Sequence, residues 1–191
     1  MSRRLPPRRA FTLVELMIVV AIVGVLAALA IYGVRRYVAS AKTTEARNSL
    51  GAIAKSASAA FDREGMAGTV LDLGERSSRS DTLCVTSAPV PASTAGIAGR
   101  KYQSAPSEWS TDPGWVCLKF QMKDPQYYQY QYVSNGTGEV TDGFVAYARG
   151  DLNGDGATST FSIAGLVQGS GTGQGIELTI APNLVEVDPD E

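Results

Sequence analysis

The 191-residue sequence contains no histidine. That removes the commonest general base and the commonest imidazole ligand for transition metals. Its only cysteines, Cys84 and Cys117, form no CxxC pair, so neither a zinc ribbon nor a dithiol redox motif can be written with them. No GxSxG elbow and no phosphate-binding loop is present. The glycine-rich "GSGTGQG" at 169–175 is followed by a β-like segment and not by the helix that a phosphate cradle needs. Nothing in the residue inventory therefore points to catalysis.

Charge excludes a further class of partner. The net charge is −2, but Arg3, Arg4, Arg8 and Arg9 all lie in the first ten residues, which carry no acid. Without those four of the 17 basic residues, 13 remain against 19 acidic ones, a balance of −6. A nucleic-acid-binding surface needs the opposite sign, so no nucleic-acid partner is expected for this chain.

Proline is missing between Phe11 and Glu64, and charge is missing between Leu16 and Val34. What fills that space is "RRAFTLVELMIVVAIVGVLAALAIYGV", an apolar run long enough as a helix to cross the hydrocarbon core of a bilayer. Basic residues flank it on both sides, so charge does not settle its orientation. The run contains one carboxylate near its start, Glu15. An acid in hydrocarbon costs on the order of 3 kcal/mol, so its presence calls for a reason.

Beyond Val34 the pattern changes without a break. Ala46, Leu50, Ile53, Ala57 and Phe61 recur at steps of three and four, with Lys42, Glu45, Asn48, Lys55 and Asp62 mostly on other faces. This predicts one helix from about Phe11 to Glu64, stopped by Gly65, apolar all round in its first half and on one stripe in its second. After Gly65 the composition turns to Gly, Ser, Thr and Pro. Short segments follow that alternate or carry β-branched and aromatic residues: "WVCLKFQM", "YYQYQYV", "GFVAYAR", "STFSIAGLV" and "GIELTIAP". Asn135-Gly136 is a hairpin-turn signal between two of them. The tail "EVDPDE" reads as a frayed end.

The expected fold is α+β: one long amino-terminal helix packed on an antiparallel β-sheet head. Its divisions are a basic leader at 1–10, the apolar half of the helix at 11–34, its amphipathic half at 35–64, and a β-rich head at 65–191. Two cysteines behind a membrane-targeting segment suggest a disulfide in an oxidising compartment, with two free buried thiols as the alternative.

The leader "MSRRLPPRRA", the run "FTLVELMIVVAIVGVLAALAI" and the following "YVASAKTTEARNSL" together resemble the amino-terminal signature of type IV pilins and pseudopilins. The resemblance covers about a quarter of the chain and is highly specific; the rest agrees in architecture only. It implies a prepilin cut by a membrane aspartic peptidase between Ala10 and Phe11, with the new amine of Phe11 then N-methylated. It implies storage in the inner membrane as a single-pass protein. From there, assembly machinery packs the helices of identical or related subunits into a filament on the cell surface, or in the periplasm for a pseudopilin. It also implies that Glu15 pairs with the amino terminus of a neighbouring subunit. Physics supports that role, because an opposite charge at contact offsets much of the cost of a buried carboxylate. Two features depart from the usual family pattern: the leader ends in Ala10 where glycine is usual, and Tyr32 stands where many major pilins carry proline. Gly24 and Gly33 are then the weak points of the helix.

The remaining signals each have a plainer reading. Asp151, Asn153 and Asp155, followed by Gly156, open like a calcium loop, but Ser162 stands where the EF-hand needs a bidentate glutamate. Some members of the family bind calcium through head loops. Calcium completed by Asp142, Ser159 or backbone carbonyls is therefore one reading, and an Asx-rich turn is the other. Tyr128, Tyr130 and Tyr132 share one face of a strand, with Tyr127, Gln129 and Gln131 on the other; the rings are expected in the core. Trp109 and Trp115 are expected to be packing residues. Asn135-Gly136-Thr137 matches a glycosylation acceptor weakly. A secreted protein cleaved after "AALA" at 27–30, to begin at Ile31, is a rival, as is a membrane-anchored domain that never polymerises.

Overall fold

The computed structural model describes residues 11–63, 81–169 and 175–189. The chain divides into two compact units, Met1–Val38 and Ala39–Glu191. Helix α1, Leu13–Phe61, belongs to both. In the first unit its apolar side chains from Leu13 to Val34 stand exposed, and the helix is long and apolar enough to cross a membrane. Leucine, alanine and methionine favour this helix, and with no proline it continues through Tyr32. The leader, including Ala10, lies outside the described residues.

The second unit is an α+β head. Its part of α1 buries the expected stripe, with Ala46, Leu50, Ile53, Ala57 and Phe61 all at 5% exposure or less. The helix ends at Phe61; the stop expected at Glu64 and Gly65 falls outside the described residues. Beneath that stripe lies a five-stranded antiparallel sheet in the order β1-β2-β3-β4, with β5 beside β4 along the same edge of β3. The strands are β1 Tyr128–Ser134, β2 Gly143–Gly150, β3 Ser159–Gly169, β4 Ile176–Ile180 and β5 Val185–Val187. The register places Tyr130 opposite Ala148, and Ala148 opposite Phe161. Tyr128, Tyr130 and Tyr132 are fully buried, as the alternation predicted. Two glycines make room for rings. A side-chain carbon on Gly150 would lie 2.6 Å from the Tyr128 ring, and one on Gly165 would run into Phe144.

Three expectations need correction. "WVCLKFQM" does not form a strand: its first half lies in helix α3, Pro113–Leu118, which follows the one-turn helix α2, Pro106–Ser110. Asp112 caps α3 by accepting the Trp115 amide, and Pro113 supplies a preset first residue. The tail is not simply frayed, because Val185–Val187 pairs with Thr160–Ser162 and Glu186 meets Arg47 at 2.8 Å. The Asn135-Gly136 turn is not a tight two-residue hairpin. The connection runs over 135–142 and is closed by the Asp142 carboxylate, which accepts the amides of Thr137, Gly138 and Glu139. Those amides hold the Asp142 carboxyl below its usual range, Gly138 first.

Cys84 and Cys117 form a disulfide with Cα atoms 5.7 Å apart. It ties the segment along the outer edge of β1 to the end of α3. By the loop-closure model a bridge of this span contributes about 3–4 kcal/mol. Trp109 and Trp115 pack edge-on at 5.0 Å and against Phe120. Each indole N–H is satisfied, Trp109 donating to Ser104 Oγ and Trp115 to the Ala88 carbonyl. Both are core residues.

Candidate assembly site at the start of the first helix

The site is built at the first turn of α1. Phe11 is 79% exposed, and Thr12 precedes the first helical residue. The Thr12 amide and hydroxyl both donate to Glu15 Oε2, at 2.9 and 2.7 Å, while the Glu15 amide donates to Thr12 Oγ1 at 3.2 Å. This is a reciprocal capping box, Thr-x-x-Glu, satisfying two amides that the helix itself leaves unpaired. The Thr-x-x-Glu pattern at 12–15 is the sequence signal for this cap, masked by the apolar run in which it stands. Glu15 therefore has a partner within its own subunit. The helix N-terminus supplies further favourable potential for a carboxylate.

The capping arrangement bears on what a cut before Phe11 would do. A new amine would sit one residue before Thr12, beside the only acid in the apolar half. The carboxylate has more acceptor positions than the two Thr12 donors fill. It can hold its cap and still receive a cation from the same or another chain.

A second carboxylate on α1 faces the head. Glu45, assigned to the polar side by pattern, is half-buried. Its Oε1 accepts the Tyr127 amide at 2.8 Å and the Tyr130 hydroxyl at 3.2 Å. Burial pushes the Glu45 carboxyl up, against these two hydrogen bonds and the nearby Lys101. Lys42 and Lys101 both lie over the Tyr127 ring, at 4.8 and 4.7 Å. This cluster fixes the helix to the start of β1. Sequence pattern could not place it, since the partners lie more than eighty positions away.

The calcium-like loop closes on its own backbone. The Asp151 oxygens accept the Gly154 and Gly156 amides, at 2.6 and 3.1 Å. Asn153 Oδ1 accepts the Asp155 amide, and Asp155 accepts from Asn153 Nδ2 and the Ala157 amide. Among the described residues no group of three or more His, Cys, Asp or Glu is placed to hold a metal ion. The arrangement is that of an Asx-rich turn.

Fold and site together define a class: an α+β head entered by a helix whose first half is bare, apolar and opened by a single acid. The comparisons agree with that class. A family model described as the prokaryotic N-terminal methylation motif matches residues 5–31. The chain is 52% identical over 52 residues to the type IV major pilin protein PilA of Myxococcus xanthus (strain DK1622). That match covers 27% of this chain and 24% of the relative, so the chain spans about a quarter of the length of the curated relative it matches. No solved structure matches the chain. Residues 5–31 thus carry a prokaryotic N-terminal methylation motif, and the chain resembles a type IV major pilin over about a quarter of its length.

Proposed function

We propose that this chain is a structural subunit that polymerises into a type IV pilus filament serving adhesion or motility, and that it has no enzymatic role. The observation that carries this reading is Glu15, a lone acid at the start of an exposed apolar helix, inside a matched methylation motif. Peptidase cleavage between Ala10 and Phe11, followed by N-methylation of Phe11, gives that acid a cationic partner. In the filament the partner is the amino terminus of a neighbouring subunit, and the pair sets axial register where apolar contacts alone would let helices slide. Before assembly the apolar half of α1 resides in the inner membrane, and afterwards in the filament core, with the head outside. The disulfide suits a head that works in an oxidising compartment.

A pseudopilin of a type II secretion system is the second reading. It is favoured by one observation: α1 passes through Tyr32 as helix, where many major pilins carry proline. The two readings differ in where the polymer ends, on the cell surface or within the periplasm.

The test is amino-terminal sequencing combined with mass spectrometry of sheared surface filaments. A chain that begins at N-methylated Phe11 and is abundant in the sheared fraction is the expected result. A chain beginning at Met1 or Ile31 overturns the reading. Correct processing with absence from sheared filaments moves the assignment to the pseudopilin.

A further inference from the structure

The chain holds two Asn-Gly dipeptides in exposed turns of the head, Asn135-Gly136 and Asn153-Gly154. Asn-Gly is the sequence most prone to intramolecular cyclisation, because glycine places no Cβ in the way of its own nitrogen. In an unfolded chain the two sites are chemically alike. The fold treats them differently.

At 153–154 the nucleophile is tied down. The Gly154 amide donates to Asp151 Oδ1 at 2.6 Å, a charge-assisted bond to a buried carboxylate. Asn153 Oδ1 also has a backbone donor, the Asp155 amide at 2.9 Å, so the difference between the two sites lies in the glycine nitrogen. At 135–136 the reverse holds. The Gly136 amide donates no hydrogen bond among the described residues, and the nearby Asp142 Oδ2 is already occupied by three other amides. Asn135 is exposed, and its side-chain carbonyl oxygen accepts the Gly143 amide at 2.6 Å. That donor polarises the amide carbon and stays on the same oxygen as negative charge develops there. This is the relationship an oxyanion hole has to an acyl-transfer centre.

We propose that Asn135 is a site of spontaneous covalent modification in the folded head, closing on the Gly136 nitrogen to a succinimide that water opens to aspartate or isoaspartate. The Gly136 nitrogen loses its proton and bonds Asn135 Cγ, and the Cγ–Nδ2 bond breaks to release ammonia. Hydrolysis of either imide carbonyl then restores an acid. Aspartate adds one negative charge and keeps an oxygen in reach of the Gly143 amide. Isoaspartate also lengthens the backbone by one carbon at the exit of β1. Glycine cannot be exchanged here for a slower-reacting residue, because a Cβ at position 136 would collide with the Asp142 carboxylate. This inference does not depend on the assembly reading.

The test is peptide mapping by mass spectrometry after incubating the full chain at neutral pH, folded and in urea. Amide-to-acid conversion is quantified separately at Asn135 and Asn153. In the folded chain Asn135 is expected to convert faster than Asn153 by on the order of tenfold or more, since the Gly154 nitrogen must first give up its charge-assisted hydrogen bond to Asp151 before it can attack. In urea the two rates are expected to converge. Asn135→Gln, which lengthens the ring to be closed, is expected to remove conversion at 135 and leave Asn153 unchanged. Equal rates in the folded chain, faster conversion at Asn153, or an Asn135 preference that persists in urea would each overturn the proposal.

Discussion

Thr12 and Glu15 cap each other at the start of α1, the threonine hydroxyl donating to Glu15 Oε2 at 2.7 Å and the Glu15 amide returning a bond to Thr12 Oγ1. The acid that looks misplaced in an apolar run thus has a local structural role before any second chain arrives. The two roles separate by mutation. Thr12→Ala should cost about 1 kcal/mol of helix-end stability and fray the first turn, by the usual magnitude of a lost N-cap. It should leave filament formation intact, because the carboxylate remains. Amide exchange at residues 12–15 and the yield of sheared filaments check the two halves of this expectation.

Glu45 makes the stability of the head depend on pH. Burial holds its carboxyl above the ordinary glutamate value of about 4.3, so the folded state binds its proton more tightly than the unfolded chain. The stabilising contribution is complete below the unfolded value and is lost as pH rises through the folded one. Melting temperature should therefore fall with rising pH across that window, after the contributions of other acids are matched by comparison with the variant. Glu45→Gln, which keeps an acceptor for the Tyr127 amide, should remove this slope and change stability at neutral pH by no more than about 1 kcal/mol. An unaltered slope in the variant would assign the pH dependence elsewhere.

Two neighbouring tyrosines should respond in opposite ways to loss of a hydroxyl. Tyr132 is fully buried, stacked on Phe144 at 5.0 Å, and its hydroxyl finds no hydrogen-bond partner among the described residues. Tyr132→Phe should be neutral or stabilising, by up to about 1 kcal/mol, because a buried unpaired polar group is removed. Tyr130 donates to Glu45, so Tyr130→Phe should destabilise by roughly 1–2 kcal/mol. Urea denaturation of the pair of variants measures both signs in one experiment.

The Asp151 loop should be indifferent to calcium. Its oxygens accept the Gly154, Gly156, Asp155 and Ala157 amides, which close the turn on its own backbone. Adding calcium or a chelator should leave the melting temperature of the head unchanged. A saturable rise with calcium would support the calcium reading of the loop instead.

The sequence was most informative where a pattern is local. The helical stripe from Ala46 to Phe61, the alternation of Tyr128, Tyr130 and Tyr132, and the segments forming β2, β3 and β4 all follow from spacing alone. It misled where a local signal competed with a periodic one. In "DPGWVCLKF" the Asp112 cap and Pro113 outweigh an apparently strand-like run, and Gly114 lets the helix rest on the backbone of Val85 to Ser87. It was silent where pairing is long-range. Nothing near Val185–Val187 announces a partner strand at Thr160–Ser162, and nothing near Glu45 announces Tyr127. The candidate assembly residue Glu15 is legible within its motif, and Thr-x-x-Glu at 12–15 is the signal for its cap.

In the proposed function Glu15 acts between subunits and not only within one. The most direct measurement is the yield of sheared filaments from cells carrying Glu15→Ala, with head folding and cleavage before Phe11 monitored alongside. The expected result is a correctly processed chain with an intact Cys84–Cys117 head and a severe loss of filaments. Filaments at normal yield, from a correctly processed variant, would contradict it.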